Sequence, residues 1–165
     1  MKTIERRYVY KVVLLVLLAF GHGAAEDPGE AFDSLVEAFY SGDAQGVYQR
    51  LSTESAGMVE MMLLMVKANP QAAAEEIASE FGMEIAPDEI TSWTSIDMMD
   101  ALMNAPGFLD GFPTRDEIMV TGSHIQGDSC TIHFTMPEVT GELDLLMVKQ
   151  NGSWKLDQSV IQAEL

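Results

Sequence analysis

His124 and His133, with Asp144 a few residues on, are the side chains in this sequence whose types suit metal chemistry, because imidazole nitrogen and carboxylate oxygen are donors that zinc accepts. Whether they meet depends on the turns around them. Gly127-Asp128 and Asn151-Gly152 are two-residue hairpin signals. Counting outward from the first turn makes His124 and His133 diagonal neighbours on the outer face of adjacent strands, and Asp144 falls on the next strand. Three donors spread over a flat face lack the supporting hydrogen bonds that orient metal ligands. Exposed polar strand residues are the simpler reading, and no metal is expected.

Met58, Met61, Met62 and Met65 recur at helical spacing, and thioether sulfur is a ligand for Cu(I). The same spacing describes any apolar helix face. Methionine also recurs at 83, 98, 99, 103, 119, 136 and 147, as expected of a residue that fills irregular gaps. Packing or pocket lining is therefore the reading carried forward. Cys130 is the single cysteine; it cannot close an intramolecular disulfide, and its position on an apolar strand face makes it a small buried hydrophobe. Tyr40, Tyr48, Asp97, Asp100, Asp110 and Asp116 supply acids and phenols, but no spacing among them pairs a base with a partner. A serine–histidine–acid triplet, a phosphate loop, a calcium loop and paired zinc cysteines are all missing from the sequence.

The N-terminus reads as a secretory signal peptide over residues 1–25. Lys2, Arg6, Arg7 and Lys11 lead into the apolar run from Val12 to Phe20, and Gly23, Ala24 and Ala25 provide small residues for cleavage. Only 14 uncharged residues separate Lys11 from Glu26, short of the roughly 20 needed to span a bilayer. No cysteine follows the run to accept a lipid anchor. The expected product is a soluble secreted or periplasmic protein, residues 26–165, forming one domain.

The whole chain carries a formal charge of −17. Residues 26–165 keep 25 of the 26 acids and only Arg50, Lys67, Arg115, Lys149 and Lys155, a net charge of −20. Such a surface repels phosphate backbones and anionic headgroups, which argues against nucleic acid and membrane as partners and suits a cationic one. With 47% apolar residues, the chain can build a core without cross-links.

The elements change character along the chain. Asp27-Pro28 caps a first helix whose Phe32, Leu35, Val36, Phe39 and Tyr40 form one stripe. Gly42 stops it and Asp43 caps a short second helix. The methionine helix follows and ends near Asn69; Asn69-Pro70 opens a fourth that Gly82 terminates. Pro87 begins a short turn, and Thr94 with Asp97 forms a capping box for the last helix. After Ala105-Pro106-Gly107 the period falls to two, giving strands over 117–126, 129–136, 142–150 and 153–159.

Opposed residues of an antiparallel pair share a face. The turns set Ile125 against Cys130, Ser123 against Ile132, Thr121 against Phe134, Met119 against Met136, Trp154 against Lys149, Leu156 against Met147 and Gln158 against Leu145. Joining the apolar faces then pairs Met136 with Leu143, Phe134 with Leu145 and Ile132 with Met147. The expected fold is α+β, with N-terminal helices packed on a four-stranded antiparallel meander. Its outer face would carry Ile118, Val120, Leu146 and Val148, and a homodimer through that face is expected.

The segment EAFDSLVEAFYSGDAQGVYQRL, residues 30–51, resembles the opening helices of the nuclear transport factor two-like, cystatin-like superfamily, and GSWKLD, residues 152–157, is similar to its last strand. The resemblance implies a cone-like curved sheet around the first helix, with residues 53–104 as a helical insertion. Small exported bacterial members look most similar. Some members are isomerases or dehydratases, others binding, transport or assembly modules. On this reading the protein is a non-enzymatic exported domain without a cofactor, its interior either packed or open to a small apolar ligand lined by Phe39, Met61, Met65, Met147 and Trp154. An isomerase- or lyase-type enzyme and an interaction module using the outer sheet face or the acidic surface are the alternatives.

Overall fold

The computed structural model describes residues 27–157 except 111, 138 and 140. The signal-peptide reading and the pairing of Gln158 lie outside the described residues. Six helices come first: α1 Pro28–Tyr40, α2 Ala44–Tyr48, α3 Thr53–Ala68, α4 Pro70–Phe81, α5 Pro87–Ser92 and α6 Ser95–Met103. A 3-10 turn, Arg115–Glu117, leads into β1 Met119–Gln126, β2 Ser129–Thr135, β3 Leu143–Gln150 and β4 Ser153–Leu156. The strands form one open, curved antiparallel sheet in the order β1-β2-β3-β4, so the fold is α+β.

Local chemistry sets the helix ends. The Asp27 carboxylate accepts from the Gly29 N–H, Asp43 from Gly46 and Asn69 from Ala72, each satisfying an orphan amide of a first turn. Gly82 ends α4 at φ 67°, a left-handed conformation that costs glycine little. The Thr94–Asp97 box caps α6 in both directions, and a second box, Thr114–Glu117, caps the 3-10 turn. That second box shortens the first predicted strand, which starts at Met119 rather than Glu117.

Alternation then makes the sheet two-faced. Cys130, Ile132, Phe134, Leu145, Met147, Trp154 and Leu156 are all buried on the inner face, and the α1 stripe of Phe32, Leu35, Val36 and Phe39 is buried with them. Phe32 lies 5.4 Å from Phe134, ring to ring. Phe39 continues the contact into Phe108 at 5.7 Å and Phe112 at 5.6 Å, edge to face, a favoured aromatic geometry. Fully burying a side chain such as Ile132, Met147 or Leu156 contributes about 1.5–3 kcal/mol. Cys130 is completely buried, and desolvation pushes its thiol up from its ordinary value.

The helical and stranded halves also meet at the end of β4. Leu51 forms a single parallel bridge with Leu156. The Leu156 oxygen accepts from the Ser52 N–H at 2.9 Å and from the Ser55 hydroxyl at 3.0 Å. Ser52 and Ser55 have no exposed surface, and Ser52 also caps α3, so both buried hydroxyls find partners within a few ångströms of each other.

Two register expectations are corrected. Both hairpin turns pair as expected beside the loops: Ile125 with Cys130, Ser123 with Ile132, Trp154 with Lys149 and Leu156 with Met147. Farther along β1, however, Thr121 is an extra residue, so Val120 rather than Thr121 faces Phe134, and Met119 faces Thr135 rather than Met136. Glycine beside the insertion, Gly122, suits a bulge. The shift reverses the faces before it: Ile118 is buried, not an outer-face residue, and Val120 shares its side with Phe134. Between β2 and β3, Phe134 pairs with Leu143, Ile132 with Leu145 and Cys130 with Met147, two residues from expectation. A shift of two keeps every side chain on its face. β2 stops at Thr135, before Pro137, whose ring disallows a ladder N–H and restricts Met136.

Ile132→Ala is expected to cost about 2–5 kcal/mol by urea unfolding because it opens a cavity at the centre of the sheet. Hydrogen bonds from Thr94 and Thr114 hold the carboxyls of Asp97 and Glu117 below their ordinary ranges. Depressed folded-state values mean that their contribution is full above the unfolded-state values and is lost as pH falls through the folded ones. Melting temperature should therefore drop below about pH 4, and by less in an Asp97→Asn, Glu117→Gln variant.

Candidate functional site

The space between α1 and the sheet is a cavity of about 30 Å³ lined by Phe32, Leu35, Val36, Phe39, Tyr40, Ile118, Phe134 and Leu145. That is close to one water's share of liquid volume, far below the several hundred Å³ of a ligand site. Its one polar group is Tyr40, whose hydroxyl donates to the Pro113 carbonyl; desolvation raises its pKa despite the opposing charge of Arg115. Nothing titratable faces this space in a state suited to a general base.

The five expected pocket residues do not converge. Phe39, Met147 and Trp154 are buried in the core, at 4%, 0% and 4% exposure, and only Phe39 touches the cavity. Met61 and Met65 point away from it, at 58% and 67% exposure. The reason lies in how α3 is rotated. Its apolar residues run all round the helix, so spacing alone cannot select the inward face. The Ser55 hydroxyl reaches the Leu156 carbonyl and thereby turns Ser55 and Val59 inward, both with no exposed surface. Met62, Leu63 and Val66 follow them into the core margin.

Met58, Met61, Leu64 and Met65 consequently line the opposite side of α3, all exposed. At 100° per residue they span four positions of one broad stripe, and Gly57, which has open space around its Cα, lies within it. Sequence reasoning picked out the methionine spacing but placed it against the core, and Leu64 was missed. Around this stripe, residues 53–92 contain Glu54, Glu60, Glu75, Glu76, Glu80, Glu84, Asp88 and Glu89 against Lys67 alone.

A second cluster sits on the outer sheet face at the bulge. His133 on β2 lies directly opposite Asp144 on β3, with Nδ1 2.6 Å from Asp144 Oδ1 and 3.9 Å from Glu142 Oε2. The bulged Thr121 donates to Glu142 Oε1. Gly122 opposes His133 on the other flank. The two-residue register shift brings Asp144 beside His133, while His124, opposite Thr131, is not in the group and Glu142, unremarked in the sequence, is. Tyr48 hydrogen-bonds Glu60, and Asp100 holds the Asn104 amide, so neither group is set up as an acid–base partner in a cleft.

Among the described residues no helix is long and apolar enough to cross a membrane. No family model, curated protein or solved structure matches the chain.

Exposure separates the methionines into two classes that stability should report. Met61→Ser and Met65→Ser are expected to stay within about 0.5 kcal/mol of wild type in urea unfolding, whereas Met147→Ala should cost about 2–5 kcal/mol.

Proposed function

We propose that the protein is a non-enzymatic interaction module that holds a cationic partner segment on the exposed face of α3. The carrying observation is that Met58, Met61, Leu64 and Met65 are 39–68% exposed on one side of a helix whose other side carries the buried Ser55 and Val59 and the half-buried Met62, Leu63 and Val66. A stripe of large apolar side chains left in water is what a docking surface presents, and flexible methionines suit a surface that adapts to its partner. Charge chooses the occupant. The segment that carries the stripe, residues 53–92, is strongly acidic, so a second copy of it meets like charge, whereas an amphipathic helix with Lys or Arg flanking Leu or Phe anchors meets opposite charge. The acidic surface also disfavours an anionic bilayer as the occupant.

The space between α1 and the sheet, at about 30 Å³, is too small for a small ligand, which favours a surface over that cavity. The order of helices followed by a curved meander is the arrangement that resemblance to the cystatin-like superfamily implies, and binding or assembly modules occur there. Export of residues 26–165 after removal of the leader belongs to this proposal; an acidic, cross-link-free domain is compatible with it.

A Leu/Lys amphipathic helical peptide should bind residues 26–165 saturably in isothermal titration, with micromolar affinity, about −8 kcal/mol. A Leu/Glu peptide of the same length should not bind. Met61→Glu with Met65→Glu should weaken the Leu/Lys peptide by tenfold or more without lowering the melting temperature. Equal binding by wild type and variant, or by both peptides, would overturn the assignment.

A further inference from the structure

From the arrangement at the β1 bulge we infer a second binding site, for a divalent first-row transition ion, formed by His133, Glu142 and Asp144. It is independent of the α3 face and lies on the outer side of the sheet. One donor atom from each of the three residues lies within 4.8 Å of the others. Tetrahedral ligands about 2.0–2.2 Å from zinc stand roughly 3.3–3.5 Å apart. The present spacings of His133 Nδ1, 2.6 Å to Asp144 and 3.9 Å to Glu142, bracket that value, so small side-chain rotations suffice.

The backbone supplies the convergence. His133 and Asp144 are directly paired across β2 and β3, and Glu142, just before β3, brings a carboxylate oxygen to 3.9 Å from His133 Nδ1. The extra residue in β1 places Thr121 where its hydroxyl donates to one Glu142 oxygen, which leaves the other oxygen toward His133. This is the supporting hydrogen bond that metal ligands characteristically have. Gly122 leaves the flank of the imidazole without a side chain; even an added Cβ there would only reach ordinary contact with His133 Cδ2, at 3.8 Å.

Donor chemistry selects the ion. An imidazole nitrogen discriminates against calcium and magnesium, which take oxygen, and favours zinc, nickel or copper(II). With the carboxylates 51% and 67% exposed at their side chains, the remaining coordination positions fall to water, so exchangeable binding rather than a structural centre is the consequence. Facing groups from neighbouring elements are Thr121 on β1 and, diagonally, His124; neither is a ligand here.

Titration of residues 26–165 with Zn²⁺ alone, followed by calorimetry and by the ¹H–¹⁵N shifts of the His133 ring, should show one saturable site. His133→Ala and Asp144→Asn should each weaken it at least tenfold, Thr121→Val by less, and His124→Ala not at all. An unchanged His133 ring spectrum, zinc taken up equally by wild type and His133→Ala through the general acidic surface, or no binding at all, would each overturn the inference.

Discussion

The carbonyl oxygen of Leu156 is the point on which the relation between helices and sheet depends. It terminates β4, accepts the Ser52 amide and accepts the Ser55 hydroxyl, in surroundings with no water access to either serine. Two buried hydroxyls so placed leave little freedom, because an unpaired polar group of this kind costs about 1–3 kcal/mol. The clamp therefore determines which side of α3 meets the core. Without it, Val59 and Met61 would be nearly equivalent candidates for burial, and the helix would have no unique rotation.

That constraint also explains what the sequence could and could not disclose. Elements with a single periodic face or an explicit cap were legible: α1 from its stripe, α6 from Thr94 and Asp97, α4 from Asn69-Pro70 and Gly82. The two hairpins were legible because Gly127-Asp128 and Asn151-Gly152 adopt the positive φ angles that such turns demand at Gly127, Asn151 and Gly152. The inner sheet face followed from alternation alone. Three features escaped. The α3 rotation depends on a contact 101 residues away in sequence. The bulge at Thr121 adds one residue without interrupting the apolar pattern strongly enough to be counted. The β2–β3 register, which sets Phe134 opposite Leu143, escaped because the sequence offers only a loop of flexible length between these strands.

Those same misses carry the candidate sites. A helix apolar on every side reads as core, yet a clamp at its first turn leaves half of it outside. A histidine and an aspartate that the expected register sets diagonally, two residues out of step on adjacent strands, become direct neighbours once the pairing slides by two. In each case the side chains are recognisable by type, and it is long-range geometry that decides whether they meet each other or meet solvent. The buried inner-face residues of β2, β3 and β4, from Cys130 to Leu156, are all apolar, which turns attention outward, to surfaces.

The kink in β1 has a further effect on how the molecule behaves among its neighbours. Among the described residues β1 pairs only with β2, so its other side there presents backbone donors and acceptors, beside the exposed Met119 and Ile125. A straight edge of this kind would recruit strands and seed fibrils. The additional residue at 121 breaks the repeat of that row and twists it locally, so that an incoming strand could follow only a few residues before losing step. The irregularity that gathers a histidine and two acids thus also protects the sheet's open rim from indiscriminate self-association.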